Sequence, residues 1–215
     1  MLGDPLRISI FGCTGATGLL LVNQALAEDH NLVAFARAPS KLPRHDRLTV
    51  VEGQLDDSTK VSAAVAGSDA VLSLLGPGTK VADVPPLVAG TRNIVAAMRE
   101  HGVRRLVATG TPSISDPADE KDWKVGLLVK LIKTTQPTAY RAIVEIGQIV
   151  RASELDWTLV RFPFLSNGPH TGQINARNVG QGGGLRLSRH NAAAFVLQQA
   201  TDTTYVHRAP FISDR

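Results

Sequence analysis

The chain is poor in the residue types that build disulfides and metal centres. Cys13 is its only cysteine, so it can form no internal disulfide and no zinc site built from cysteines. Its six histidines show no metal-ligand spacing, so we expect no metal. Asp4, Pro5 and Arg7 occupy the stretch where a secretory signal needs an apolar core, and no run reaches the roughly 18 uncharged apolar residues that span a bilayer. These absences predict a cytoplasmic protein without stable membrane insertion.

Charge of neither sign dominates the sequence. The 23 lysines and arginines against 19 aspartates and glutamates give a net charge of +4, without a long basic run. Such spread charge favours a small anionic ligand over a nucleic acid, so we expect a small-molecule substrate and no nucleic-acid partner. Hydrophobic residues make up 43% of the 215 residues, which is enough for the core of one domain. A monomer and a homodimer both remain open.

Short apolar runs alternate with amphipathic stretches from the start of the chain. The runs predict strands at Arg7–Phe11, Leu32–Ala36, Leu48–Val51, Ala70–Leu75, Val103–Thr109 and Trp157–Phe162. Helices are predicted at Gly15–Ala27, from a Ser58 cap through Ala66, at Pro85–His101, at Thr138–Ser153, and from a Ser188 cap to about Ala200.

This alternation is typical of a parallel sheet covered by helices on both faces. We therefore expect residues 1–215 to form a single α/β domain, a Rossmann fold with a doubly wound parallel sheet of six or seven strands. Ligands of such domains bind beyond the carboxyl ends of the strands. Residues 112–139 and 164–187 are predicted to be loops that enclose the substrate.

A glycine-rich turn follows the first predicted strand. In FGCTGATG, Gly12, Gly15 and Gly18 are three residues apart, between a strand and a helix, which is the context that a dinucleotide-binding motif requires. Gly12 permits the tight turn, Gly15 lets a pyrophosphate approach the backbone, and Gly18 lets the helix pack on the strand. Thr14 and Thr17 add hydroxyl donors. Cys13, with no histidine nearby, is interpreted as a packing residue.

The end of the second strand indicates which dinucleotide binds. NAD-binding proteins place an acid here for the adenosine ribose. This chain has Arg37 instead, followed by Lys41, with no acid between them. Because cations attract a 2′-phosphate that a carboxylate would repel, these residues predict NADP(H). Lys41 taken alone is equally well explained as a solvated surface charge.

Several segments, in this order, resemble the atypical short-chain dehydrogenase/reductase family. They are GCTGATG, Arg37 with Lys41, VAGSDAVLSLLG, GTRNIVAAMREHGVRRLVATGT and LDWTLVRFP. The nearest branch is the NAD(P)H-binding group that contains biliverdin reductase B (flavin reductase) and the NmrA-like proteins.

The resemblance implies a role for residues at each turn of the sheet. They would follow the cofactor from one end to the other: Gly12, Thr14, Gly15, Ala16 and Thr17 at the pyrophosphate; Arg37 at the 2′-phosphate; Gln54 and Leu55 at the adenine; Leu74, Leu75 and Gly76 along the channel; Thr109, Thr111, Pro163 and Phe164 at the nicotinamide end. Relatives often carry aspartate where Gln54 stands.

The sequence lacks the tyrosine-x-x-x-lysine pair that the larger short-chain dehydrogenase family uses to protonate ketones. Val144 follows Tyr140 at that spacing, and Ala209 follows Tyr205. Hydride transfer to an ordinary ketone creates an alkoxide that needs an acid within reach. A flavin, quinone or tetrapyrrole instead delocalises the charge and takes its proton from solvent. We therefore expect an NADPH-dependent oxidoreductase that reduces a conjugated acceptor.

Two residues are candidates for catalysis. Thr111 stands where relatives often have a serine beside the active site, and it either touches substrate or caps its own loop. Tyr140, at the start of a predicted helix, either donates a proton or packs half-buried. Two other functions remain open: an NmrA-like NADP(H)-binding redox sensor without turnover, and an NADP-dependent ketone reductase or isomerase of a specialised metabolite.

The stretch from Lys121 to Lys133 forms a basic amphipathic pattern. Trp123, Leu127, Leu128 and Leu131 share one helical face, among Lys121, Lys124, Lys130 and Lys133. This pattern is explained by a helix that covers its own core or the substrate, by self-association, or by contact with a membrane surface.

Overall fold

A computed structural model describes residues 4–76 and 84–215, with the backbone alone at residues 84 and 85. Its strands are β1 (Arg7–Phe11), β2 (Asn31–Ala36), β3 (Leu48–Glu52), β4 (Ala70–Ser73), β5 (Arg105–Gly110), β6 (Asp156–Arg161), β7 (Phe164–Ser166), β8 (Ile174–Arg177), β9 (Arg186–Ser188) and β10 (Phe211–Asp214). Its helices are α1 (Ala16–Ala27), α2 (Ser58–Val65), α3 (Val84–Glu100), α4 (Trp123–Thr135), α5 (Pro137–Arg151) and α6 (Arg189–Gln198), with a 3-10 turn at Pro39–Lys41.

The main sheet has eight strands in the order β3-β2-β1-β4-β5-β6-β10-β8. The first seven pair in parallel, and β8 pairs antiparallel to β10 at the edge. The strand order reverses between β1 and β4, which is where ligands of doubly wound sheets bind. The single-domain Rossmann fold expected from the sequence is confirmed.

Alternate side chains of each strand enter two separate apolar layers. Along β2, Leu32, Ala34 and Ala36 belong to the layer built with α1 and α6. Val33 and Phe35 point into the opposite layer, with α2, α3 and α5. Helices therefore cover both faces of the sheet, and the carboxyl ends of the strands are the open edge between them.

The prediction of loops at 112–139 and 164–187 needs correction. The first range contains α4 and the start of α5, and the second contains β7, β8 and β9. These strands have three or four residues each, too few to show a hydrophobic period. The cap of α2 is Asp57 rather than Ser58, because the Asp57 side chain accepts the Lys60 N–H. Among the described residues, no helix is long and apolar enough to cross a bilayer.

Candidate active site

The turn between β1 and α1 can be formed only with glycine at two of its positions. Gly12 has φ +82°, and a Cβ there would lie 2.6 Å from the Leu74 carbonyl oxygen. A Cβ at Gly18 would lie 2.2 Å from the Gly12 carbonyl oxygen, because α1 packs directly on the turn. The turn is closed by the Gly15 N–H, which donates to the Gly12 carbonyl at 3.2 Å.

The start of α1 is open to an anion. Gly15 is the N-cap, no side chain caps the helix, and its first turn contains no acidic residue. Gly15 and Ala16 are exposed. The N–H groups and positive dipole end of a helix attract phosphate, so this geometry fits the pyrophosphate of a dinucleotide.

A cleft of about 270 Å³ lies beside this turn, at the point where the strand order reverses. Nine of the predicted cofactor residues line it: Gly12, Thr14, Gly15, Arg37, Gln54, Leu55, Leu74, Leu75 and Gly76. The structure adds Phe35, Pro86 and Leu87, which sequence reasoning missed. Leu87 comes from the first turns of α3, and only the sheet order shows that this helix flanks the cleft.

Seven predicted cofactor residues lie outside the cleft lining, and three of these also lie outside the adjoining cavity described below. Ala16 is in the first turn of α1, and Gly18 is buried beneath the turn. Lys41 ends the 3-10 turn on the exposed surface, whereas Arg37 lines the cleft directly after β2. None of the described lining residues is an aspartate or glutamate.

A second cavity of about 540 Å³ adjoins the cleft through Leu74, Leu75 and Gly76, which line both. Five predicted residues line this cavity: Thr17, Thr109, Thr111, Pro163 and Phe164. The rest of the wall comes largely from α4 and α5, and the following residues were not among the predicted site residues: Leu128, Leu131, Ile132, Thr135, Gln136, Ala139, Ile143 and Ile146.

This cavity is apolar, and the part of its lining that the structure describes contains no side chain that titrates. Four threonine hydroxyls and the Gln136 amide are the polar side chains of its described lining. No carboxyl, imidazole, phenol, thiol, amine or guanidinium is among the lining residues that the structure describes. The wall can therefore orient an apolar ligand, but its described residues offer no general acid.

Thr109 and Thr111 face the cavity from the turn after β5. The Thr109 hydroxyl donates to the Ser73 carbonyl at 3.4 Å, which ties the turn to β4. The Thr111 hydroxyl accepts the Ser113 N–H at 3.3 Å. Thr111 therefore caps its own loop and lines the cavity at the same time, so the two interpretations of this residue are compatible.

The structure does not bring Tyr140 to the cavity. Its neighbour Ala139 is a wall residue, but Tyr140 is not among the residues that line the cavity. The half-buried ring lies under Lys133, whose Nζ is 5.7 Å from the ring centroid. This placement agrees with a packing role.

A buried ion pair holds the loop that forms one side of the cavity. Arg161, the last residue of β6, is fully buried and donates two hydrogen bonds to the Asp119 carboxylate, at 2.5 and 2.7 Å. It also donates to the carbonyls of Ile114, at 3.0 Å, and Ala209, at 2.7 Å. Because Ile114 lines the cavity, Arg161 fixes part of the wall.

The pKa of Asp119 lies below its usual value of 3.8. Burial alone would raise this pKa, but hydrogen bonds from Arg161 and from the N–H groups of Asp116 and Val179, together with the Arg161 charge, lower it. Asp119 is therefore a structural carboxylate that stays ionised.

Cys13 lies inside the glycine turn but is not positioned to react. It is fully buried, and its Sγ is 3.3 Å from the Phe35 carbonyl oxygen. Burial raises the pKa of the thiol to about 11. Within residues 4–76 and 84–215, no three histidine, cysteine or acidic side chains are grouped so that they could hold a metal ion.

A comparison with known proteins identifies the family to which this chain belongs. A family described as NAD(P)H-binding matches residues 12–203. A 3-beta-hydroxysteroid dehydrogenase of Mycolicibacterium neoaurum is 34% identical over 130 residues, which cover 53% of this chain and 36% of that protein. The chain thus spans about a third of the length of that curated relative.

Two solved structures show the same fold along nearly the whole chain. A short-chain dehydrogenase/reductase of Veillonella parvula in complex with NADP has a TM-score of 0.78 at 20% identity, over 97% of this chain and 94% of that one. The anaerobilin reductase ChuY of Escherichia coli O157:H7 has a TM-score of 0.74 at 20% identity, over 97% of both chains.

Proposed function

The chain belongs to the NAD(P)H-binding family, an atypical branch of the short-chain dehydrogenases/reductases, and we propose that it is an oxidoreductase that uses NADPH to reduce a conjugated, planar acceptor. One observation carries the proposal: the cavity that continues the dinucleotide cleft is apolar and has no proton donor in its described lining. NADPH supplies a hydride from its nicotinamide ring. The residues of this chain bind and orient the two reactants.

The preference for NADPH rests on Arg37. This side chain lines the cleft at the end of β2, and the described lining lacks the acid that would accept hydrogen bonds from an unphosphorylated ribose. A guanidinium forms strong, geometrically specific hydrogen bonds with phosphate. Gly12, Thr14 and Gly15 would hold the pyrophosphate at the open start of α1.

The nature of the acceptor follows from what the cavity wall can do. A ketone reduced there would become an alkoxide, and none of the described lining residues is an acid that could protonate it. A flavin-like, quinone-like or tetrapyrrole-like ring spreads the charge that arrives with the hydride, and water can supply the proton. The wall formed by Leu128, Ile132 and Ile143 matches the apolar faces of such a ring.

Orientation then supplies most of the rate. Thr109, Thr111 and Pro163 line the cavity, where they would hold the nicotinamide end, with the acceptor ring stacked over it. Stacking brings donor and acceptor atoms to about 3–3.5 Å, the near-attack separation.

The proposal is tested by steady-state oxidation of NADPH with a panel of flavins, quinones, tetrapyrroles, simple ketones and aldehydes. We expect turnover with the conjugated compounds and little with the simple carbonyls. Turnover confined to carbonyl compounds would contradict the proposed acceptor class. NADPH binding without turnover on any compound would favour a redox sensor.

Two neighbouring leucines on α4 offer a matched pair of variants. Leu128 lines the cavity, whereas Leu127 is 61% exposed and does not line it. Leu128→Trp should narrow the cavity and reduce kcat/KM for the acceptor at least about tenfold, with an unchanged Kd for NADPH. Leu127→Trp should leave both quantities unchanged. Equal effects of the two variants would place the acceptor elsewhere.

A second candidate is an NADP-dependent reductase of a polycyclic ketone. It is favoured by the 34% identity to a 3-beta-hydroxysteroid dehydrogenase and by the apolar walls of the cavity. This candidate requires a proton donor, and Tyr140 lies outside the cavity lining. Product analysis with steroid-like ketones in the same panel distinguishes it from the main proposal.

A further inference from the structure

Helix α4 carries an apolar stripe on its solvent face. Trp123, Leu127 and Leu131, one turn apart, are 76%, 61% and 56% exposed. The face predicted from the sequence is therefore divided, because Leu128 and Leu131 line the cavity whereas Trp123 and Leu127 lie in solvent. On the opposite face of the helix, Val125 is buried. Of the five large hydrophobic side chains exposed in the described part of the chain, only Phe164 and Val50 lie outside the stripe. Phe164 lines the same cavity as Leu131.

Lysines border the stripe on both sides. At about 100° per residue, Lys124 lies on one flank of the stripe and Lys130 and Lys133 on the other, and all three are exposed. Lys121 precedes the helix, and the helix itself, WKVGLLVKLIKTT, contains no acidic residue. The carboxylate of Asp122 caps the helix by accepting the N–H groups of Lys124 and Val125.

The apolar stripe and its flanking lysines together indicate whether the partner of this surface is a second copy of the chain or a lipid surface. If two copies packed stripe against stripe about a two-fold axis, their lysines would face each other, and the like charges would repel. An anionic bilayer satisfies both parts of the surface: the headgroups attract the lysines, and the tryptophan and leucines enter the interface.

We propose that the α4 surface, Trp123, Leu127 and Leu131 with their flanking lysines, docks on an anionic lipid bilayer with the helix lying in the interface plane. The stripe continues into the cavity, because Leu131 belongs to both and Leu128 lines the cavity beside it. Docking therefore places the cavity against the bilayer, where apolar ligands dissolve. The proposal goes beyond hydride transfer and does not rest on it.

The experiment measures binding of the whole chain to vesicles, without cofactor or acceptor. Vesicles of phosphatidylcholine alone are compared with vesicles of phosphatidylcholine mixed with phosphatidylglycerol, by sedimentation. We expect at least about tenfold stronger binding to the anionic vesicles, weakened by salt. Tryptophan emission should shift to the blue on binding, and Trp123→Phe should abolish the shift, because Trp157, the other tryptophan, is already buried.

Exposed residues supply variants that need not disturb the fold. Leu127→Gln should weaken vesicle binding about tenfold, equivalent to about 1.4 kcal/mol, whereas Val50→Gln, at an exposed position on β3, should not. Lys130→Gln should weaken binding to anionic vesicles about fivefold. Lys60→Gln, which removes an exposed lysine from α2, is the matched control and should have no effect.

Three results would overturn the proposal. These are equal binding to neutral and anionic vesicles, binding that Leu127→Gln leaves intact, and a concentration-dependent dimer in sedimentation velocity that Leu127→Gln dissociates. The last would assign the stripe to a second copy. None of these measurements involves NADPH oxidation, so their failure leaves the proposed reductase activity untouched.

Discussion

Removing the carboxylate of Asp119, which pairs with the fully buried Arg161, should destabilise the protein far more than removing a carboxylate from an exposed pair with the same geometry. The side chains of Arg161 and Asp119 are 0% and 15% exposed. Asp119→Ala would leave the guanidinium buried without its counter-charge, which costs about 3–5 kcal/mol. For a chain of this size, that loss corresponds to a fall in Tm of about 6–20 °C. The assay is urea and thermal unfolding followed by circular dichroism.

Asp156 provides the matched control. It accepts two hydrogen bonds from Arg104, at 3.1 and 3.0 Å, so the two pairs share a fork-like geometry. The side chains of Arg104 and Asp156 are 63% and 38% exposed, and water screens their attraction. Asp156→Ala should therefore lower Tm much less than Asp119→Ala. Equal losses would refute the argument that burial determines the effect of these pairs.

The Asp119 pair also predicts the dependence of stability on pH. Since the pKa of Asp119 is lowered in the folded state, the folded protein binds fewer protons there than the unfolded chain. Its contribution is present above the unfolded pKa, near 3.8, and is lost as the pH falls through the lower folded pKa. The free energy of unfolding of Asp119→Asn should depend less on pH in this acid range than that of the parent. If the free energy of unfolding depends on pH equally in both proteins, the lowered pKa of Asp119 is not the cause of this dependence.

Three further outcomes are expected. We expect the parent to bind NADPH at least about tenfold more tightly than NADH, as measured by titration, and Arg37→Ala to remove most of this preference. If the ratio of the two Kd values does not change in the variant, Arg37 does not bind the 2′-phosphate. Gly18→Ala should abolish NADPH binding, because its Cβ would lie 2.2 Å from the Gly12 carbonyl oxygen, whereas Gly126→Ala, with nothing within 4 Å, should bind normally. Cys13, with its pKa raised to about 11, should react with a thiol reagent only on unfolding, and rapid labelling of the folded protein would contradict its burial.

The sequence was sufficient for the parts of the fold that local chemistry determines. The glycine spacing at Gly12, Gly15 and Gly18 predicted the turn, and the apolar runs predicted six of the eight strands of the main sheet, β1 to β6. Ser188 was predicted as a cap, and its hydroxyl accepts the His190 N–H at 3.2 Å. Each of these features depends on a few adjacent residues, so a local pattern is enough to indicate it.

The features that the sequence did not predict depend on partners far away in the chain. Arg161 ends an apolar strand, and nothing near it indicates that its partner is Asp119, 42 residues earlier. Leu87 reaches the cleft only because α3 crosses beside the point where the strand order reverses. Strands as short as β8 and β10 become strands through their antiparallel pairing with each other, not through their own period.

The residues of the cavity walls were also not predictable from the local sequence. The helical pattern around Trp123 and Leu131 was visible in the sequence, but an amphipathic pattern does not say which face is turned inward. In the structure, Leu128 and Ile132 face the cavity, and Trp123 faces solvent. Tyr140 was likewise a reasonable proton donor by sequence position, but in the structure its ring lies beneath Lys133 and is not part of the described cavity lining.

The central claim is that hydride transfer in this cavity needs no proton donor from the protein. The most direct test is kcat/KM of Tyr140→Phe relative to the parent, with the best conjugated acceptor that the panel yields. We predict a ratio within about tenfold of unity, because the loss of a general acid typically costs 10²–10⁴-fold and Tyr140 lies outside the described cavity lining. A fall of about a thousandfold with the fold intact would make Tyr140 the proton donor and contradict the account.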